Sequence, residues 1–181
     1  YLSVINLDLP RKVRYKKRKK KQLDTPVPGY RKNRTYRDLL DFLASSHDSS
    51  IVELDVVEGA GGKSGPVLLT LFFRNCSLML LFLLPGDRRK YVQDVFDLLL
   101  SELGPQTYSQ LFPIILTDNG SSFLDPSLFE MPHRQDVLTK VFYCDPMSSW
   151  QKGRLEKNHE FIRYILPKGT SFGSLTEQKV N

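Results

Sequence analysis

Five stretches of this chain are dense in apolar residues and short enough to be buried strands: 51–57, 67–73, 77–84, 112–117 and 138–144. The second and third are separated by little more than Arg74-Asn75, which predicts a hairpin. Three other stretches carry apolar residues at helical spacing. Tyr36, Leu39, Leu40 and Leu43 define a short amphipathic helix over 35–46. Val92, Val95, Phe96, Leu99 and Leu103 define a second over about 88–103, with Asp87 as candidate cap and Gly104-Pro105 as its stop. A third runs over about 153–166 before Pro167. Ala60–Gly65 is a glycine-rich turn, and 121–136 reads as irregular, with helix in part. Residues 1–34, charged and broken by Pro10, Pro26, Pro28 and Gly29, read as extended or disordered.

The order is three strands, helix, strand, short element, strand, helix. It predicts an α/β domain over 35–181: a mixed five-stranded sheet flanked by helices, in the order of the RNase H-like fold. In that fold the first and fourth strands are adjacent and parallel. A length of 181 residues suits one such domain with a sizeable core.

Charge sharpens the picture. Nine Lys or Arg and no acid lie between Arg11 and Lys21. The whole chain carries +6, so the other 170 residues carry −3. A basic tail on a mildly acidic domain points to a polyanionic partner, held partly through Lys16, Lys17, Arg18, Lys19, Lys20 and Lys21. Other chemistries are poorly supported. Cys76 and Cys144 form no Cys-x-x-Cys pair and read as free, buried thiols. His47, His133 and His159 have no metal-ligand spacing. The glycines of 59–65 lack the Walker lysine and open no helix. The apolar run 78–84 is too short to span a bilayer, so no membrane partner is expected.

The polar residues that break the apolar pattern carry the chemistry. Asp55 sits inside the first strand run, sharing a face with Glu53 and Val57, while Val52, Leu54 and Val56 take the other. Asp118 lies in Thr117-Asp-Asn-Gly120, where the fourth strand opens into a turn; Asp-Asn-Gly is also ordinary turn chemistry. Glu156 opens the last helix. With Glu156 set at zero and about 100° per residue, Glu160 and Arg163 share its side. Asn158, Phe161, Ile162 and Ile165 fall opposite and are expected to pack on the core. A carboxylate in a β-rich core is costly unless paired or bound to a cation. Three that converge would hold divalent metal, as sites that cut or join phosphodiesters do. Trp150 reads as a packing anchor rather than a stacking platform.

The stretch Cys144-Asp-Pro-Met-Ser-Ser-Trp-Gln-Lys-Gly-Arg-Leu-Glu156, continuing through Pro167-Lys-Gly-Thr170, resembles the C-terminal signature of bacterial DDE transposases of the IS-thirty insertion-sequence family. Leu116-Thr-Asp-Asn-Gly120 is similar to that family's second-acid motif, and Glu53-Leu-Asp55 to its first. The resemblance covers about residues 50–175. It implies an integrase-like catalytic core with Asp55, Asp118 and Glu156 as a catalytic triad that binds two Mg²⁺ (or Mn²⁺) ions. It implies hydrolysis at the ends of a mobile element and DNA strand transfer, on double-stranded DNA, with self-association on that DNA, in the cytoplasm at the bacterial nucleoid. Lys152, Lys157, Arg163 and Lys168 would then flank the site and hold phosphates. Glu160 has no counterpart in the family pattern. The chain departs from it in the 37 residues between Asp118 and Glu156, slightly more than usual, and in Ser50-Ile51-Val52, which stand where the family has Gly-His-Trp. Residues 1–34 supply no helix-turn-helix region, and the chain stops soon after Leu175, so a truncated core is expected. The competing readings are an inactive DNA-binding or oligomerisation remnant, and an RNase H-like nuclease that uses only water.

Overall fold

The computed structural model describes residues 27–46, 50–130 and 137–176; Lys16 to Lys21 lie outside them. The strands are β1 (Ile51–Glu58), β2 (Val67–Phe73), β3 (Leu78–Leu84), β4 (Ile114–Thr117) and β5 (Lys140–Tyr143). The helices are α1 (Tyr36–Ser45), α2 (Arg89–Leu111), the single turn α3 (Ser127–Glu130) and α4 (Gly153–Ile165).

The five strands form one sheet in the order β3-β2-β1-β4-β5. β1 pairs antiparallel with β2, and β2 with β3, while β1–β4 and β4–β5 are parallel. This mixed arrangement is the RNase H-like order expected from the sequence. Strand alternation assigns the two faces. Val52 and Leu54 of β1, with Leu69, Leu71, Ile115 and Val141, pack under α2 and α3 around Phe96, Phe112 and Phe129. On the opposite face, α1 covers Ile51, Ile114, Leu116 and Phe142 through Leu39. There α4 covers Val57 and Leu68 through Ile162. Asp55 and the end of β4 therefore lie on the face shared by α1 and α4.

Local chemistry sets the element ends. α1 starts in a reciprocal capping box, with the Thr35 side chain accepting from the Asp38 N–H and Asp38 accepting from the Thr35 N–H. α2 starts after Arg88, one residue beyond the expected cap Asp87, and does not stop at Gly104-Pro105. Gly104 takes φ 72°, a left-handed conformation open to glycine, and kinks the helix. Pro105 then occupies the first turn of the continuation, where its missing N–H is no loss. The continuation carries the buried Tyr108, whose hydroxyl donates to the Phe129 carbonyl at 3.2 Å.

Packing also reaches before residue 35, where the domain was expected to begin. Tyr30 stands edge-on to Tyr143 at 5.0 Å, and buried Arg31 donates to the Cys144 carbonyl and to Asp145. Of the two thiols expected to be buried, only Cys144 is; Cys76, in the β2–β3 turn, is exposed. Among the described residues no helix is long and apolar enough to cross a membrane.

The aromatic cluster under α2 is expected to dominate stability. Phe96 is fully buried, with its ring 4.8 Å from that of Phe129 and 6.2 Å from that of Phe112. Phe96→Ala should cost about 3–5 kcal/mol by urea unfolding. Leu98→Ala, on the exposed side of the same helix, should stay within about 0.5 kcal/mol of the parent.

Candidate active site

The parallel pairing of β1 and β4 builds the site. Glu53 stands opposite Leu116; continued two residues, that register sets Asp118 beside Asp55 on the same face. Asp118 lies just past β4. Its Oδ1 accepts from the Gly120 N–H at 2.8 Å, so the expected turn chemistry leaves Oδ2 to face the site. A Cβ on Gly120 would come within 2.9 Å of that Oδ1, so glycine is needed for the close approach. Asn119 ties the turn to β5 by donating to the Cys144 carbonyl, and accepts from the Tyr30 hydroxyl.

Between the two aspartates sits a cation. The Lys152 ammonium lies 3.0 Å from Asp55 Oδ2 and 3.7 Å from Asp118 Oδ2, and donates to the Leu54 carbonyl at 3.1 Å. Its side chain is 4% exposed. Burial alone would lower its pKa, but the charges of Asp55 and Asp118 outweigh that and hold it above the ordinary lysine value. Lys152, expected to flank the site as a phosphate contact, is instead buried at its centre.

Lys152 ends a short turn (Ser149–Lys152) that runs straight into α4, and this junction is fixed from below. Glu53, fully buried, forms an ion pair with Arg74 and accepts from the Leu155 N–H at 2.9 Å. That N–H belongs to the first turn of α4, where backbone donors lack helical partners and a carboxylate is favoured. Arg74 also donates to the Gln151 carbonyl at 2.9 Å. Gln151 in turn exchanges two hydrogen bonds with Asp145. Neither Glu53 nor Arg74 was singled out from the sequence. The available signal was a second carboxylate two residues from Asp55 in an apolar strand.

The docking of Leu155 sets the rotation of α4. Leu155, His159 and Ile162 turn inward, while Phe161 is 57% and Ile165 81% exposed. The inward ridge is thus displaced from the Phe161–Ile165 side expected from apolar spacing. Glu156 faces the cleft of about 460 Å³ that Asp55, Asp118 and Lys152 also line. Asp145 lines it too, giving four acids against one lysine. Trp150, expected to anchor packing, is 70% exposed and meets Tyr36 edge-on at 5.8 Å. Lys157 and Lys168 are exposed and Arg163 donates to the Glu58 carbonyl; none of the three lines the cleft.

Divalent metal is the group this cleft would be expected to hold. One oxygen each of Asp55 and Asp118 already flanks a positive charge, and carboxylate oxygen is the donor type that Mg²⁺ and Mn²⁺ favour. Among the described residues no three acid, histidine or cysteine side chains are grouped closely enough to share one ion. Asp55 and Asp118 are the two acids that converge on one charge, with Glu156 on the wall of the same cleft.

Behind Asp55 lies His159. Its Nε2 is 2.9 Å from Thr70 Oγ1, and that hydroxyl donates its one hydrogen to the Asp55 carbonyl at 3.1 Å. With the hydroxyl hydrogen directed at that carbonyl, a neutral His159 carrying its proton on Nε2 completes the chain. Burial depresses its pKa, and the opposing charge of Asp55 does not restore it.

An α/β domain with an aspartate within the central strand β1 beside another just past the end of its parallel neighbour β4 is the class defined by fold and site. Its similarity is to transposases of insertion sequences. The chain is 26% identical over 129 residues to the transposase for insertion sequence element IS4351 of Bacteroides fragilis, covering 71% of this chain and 36% of that protein. Over 42 residues it is 36% identical to the transposase for insertion sequence element IS1086 of Cupriavidus metallidurans, covering 23% of this chain and 12% of the relative. Over the same length it is 38% identical to transposase InsI for insertion sequence element IS30A of Escherichia coli, covering 23% and 11%. The chain thus spans about a third of the length of the first of these relatives and about a tenth of the other two. No protein-family model matches it. Among solved structures, the catalytic core domain of BIV integrase aligns with a TM-score of 0.45 at 14% identity, covering 62% of this chain and 66% of that one.

Two outcomes test this geometry. Arg74→Ala leaves Glu53 buried without its cation and should cost about 3–5 kcal/mol in chemical denaturation. The second concerns pH. The folded state resists protonation of His159, whereas the unfolded chain takes up that proton near pH 6.5. The His159 contribution is therefore intact above that pH and is lost as pH falls toward the depressed folded value. Melting temperatures at about pH 7.5 and about pH 5.5 should fall more for the parent than for His159→Gln. Equal falls would show that His159 is not held neutral.

Proposed function

We propose that this chain is the catalytic core of a DNA transposase, acting on double-stranded DNA by metal-dependent strand cleavage and strand transfer. One observation carries the reading: Asp55 and Asp118, from neighbouring parallel strands, meet around a cation in a cleft also lined by Glu156, in a chain similar to insertion-sequence transposases.

The electrostatics of the cleft support a cation-dependent reaction. Its lining carries a formal −3, four acids against Lys152, reduced to −2 by Arg31 paired with Asp145. A phosphodiester would be repelled unless further positive charge entered with it. Asp55, Asp118 and Glu156 would hold two Mg²⁺ or Mn²⁺ ions. The chemistry these ions supply is activation of the attacking oxygen, from water or a DNA 3′-hydroxyl, and stabilisation of the leaving 3′-oxygen. The residues of the chain hold position and charge. The Asx turn at Asp118 fixes one carboxylate and the sheet fixes the other. The Glu53 bond to the Leu155 N–H holds the first turn of α4, and with it Glu156. Lys157, Lys168 and the basic tail are assigned to the DNA backbone outside the cleft, adding affinity independent of sequence. Arg163 is assigned to the same role. Self-association on DNA and a nucleoid-associated, cytoplasmic location follow from the same reading.

The test is a strand-cleavage and strand-joining assay on oligonucleotides in Mg²⁺ or Mn²⁺. Asp55→Asn, Asp118→Asn and Glu156→Gln should each lower the rate at least about a thousandfold, the loss of several kcal/mol of charge stabilisation. DNA binding should persist, and Glu160→Gln should keep most activity. Cleavage without joining would indicate a nuclease. Full activity in Glu156→Gln with loss in Glu160→Gln would move the third acid by one helical turn.

A further inference from the structure

Lys152 is the feature that the proposed reaction leaves unexplained. A lysine side chain is seldom fully buried unless paired, and this one is 4% exposed. Its ammonium stands among the oxygens of Asp55, Asp118 and Leu54, with little surface left for a phosphate. It therefore occupies the position that the two aspartates would offer a metal ion. Ammonium and divalent ion are both compact positive charges, and the same carboxylate oxygens serve either. They exclude each other at one point in space.

We propose that Lys152 is a resident counter-ion of the Asp55–Asp118 pair, which a divalent cation must displace from the site before it can bind. This rests on the reading of the cleft as a divalent-metal site. The attachment of Lys152 makes displacement feasible. The lysine stem has four rotatable carbon bonds, and its ammonium is readily hydrated. The stem springs from the turn Ser149–Lys152 beside a cleft of about 460 Å³ that gives it room. The backbone need not follow, because the Gln151 carbonyl and Leu155 N–H on either side stay fastened to Arg74 and Glu53. Displaced, the ammonium enters the cleft where the DNA phosphate would lie. The same side chain thus neutralises the aspartates before metal arrives and becomes free to meet phosphate afterwards. The consequence is weakened metal affinity in the absence of DNA.

Calorimetric titration with Mn²⁺ tests this on the parent, Lys152→Met, and Lys152→Met combined with Asp55→Asn. Lys152→Met removes the competing charge and keeps most of the apolar stem. It should tighten Mn²⁺ binding at least about tenfold, equal to about 1.4 kcal/mol. Adding Asp55→Asn should abolish that gain. Equal or weaker Mn²⁺ affinity in Lys152→Met overturns the counter-ion role while leaving the metal site standing. No Mn²⁺ binding by parent or by folded Lys152→Met overturns the metal reading itself. A second measurement needs no variant. Reductive methylation of the parent, followed by mass spectrometry of the Lys152 peptide, should be slow without metal compared with exposed Lys157. It should accelerate at least about fivefold in saturating Mg²⁺, the release of a buried amine to solvent. Equal reactivity of the two lysines without metal, or protection of Lys152 that persists when Mg²⁺ is bound, overturns the proposal.

Discussion

The site depends on a single buried ion pair. Glu53 has no exposed surface, and a carboxylate so placed is stable only with its charge and both oxygens satisfied. Arg74, at the far end of β2, meets one oxygen; the Leu155 N–H in the first turn of α4 meets the other. Three separate parts of the chain are thereby joined. β1 carries Asp55 two residues beyond Glu53, the β2–β3 turn supplies the guanidinium, and α4 brings Glu156 one residue after Leu155. The geometry of the acidic cleft rests on this clamp more than on any contact among the three acids themselves.

Around that clamp the charges are arranged in two tiers. The lower tier is Glu53 with Arg74, where the carboxylate is fully buried, and buried Arg31 with Asp145, whose carboxylate reaches the cleft wall. The upper tier, Asp55, Asp118 and Glu156, opens into the cleft with Lys152 as its one cationic lining residue. Buried pairs contribute little net stability but penalise any arrangement that separates them. That property suits a site whose acids must be held near one another despite their repulsion. His159 and Thr70, which support the Asp55 carbonyl from behind, add a hydrogen-bonded layer beneath the Asp55–Lys152 pair.

The exposed apolar side of α4 follows from the same constraint. A helix of this composition would bury Phe161 and Ile165 if apolar burial alone chose its rotation, since each buried side chain of this kind is worth about 1.5–3 kcal/mol. The Leu155 N–H bonded to Glu53, with Leu155 and Ile162 pressed on the sheet, turns the helix instead. Leaving a buried carboxylate unsatisfied costs as much as one or two such side chains gain, and it would also unseat Lys152.

Much of this was written in the residues. Period-two alternation placed Asp55 on one face of β1, and the order of strands implied that β1 and β4 run parallel. Those two facts allowed Asp118 to lie beside Asp55; the register that puts them on one face came with the fold. Local rules also located α1 and the first part of α2, because capping and apolar spacing act over a few residues. The stop expected at Gly104-Pro105 is a kink, and the helix resumes to Leu111 because Tyr108 packs in the core. What the tertiary structure alone decided involves partners far apart in sequence. Arg74 lies 21 residues from Glu53, and the Lys152 bond to the Leu54 carbonyl spans 98. A lysine four residues before Glu156 reads in sequence as one more solvated charge. Only the folded chain, which buries its stem and sets its ammonium between Asp55 and Asp118, gives it carboxylate partners.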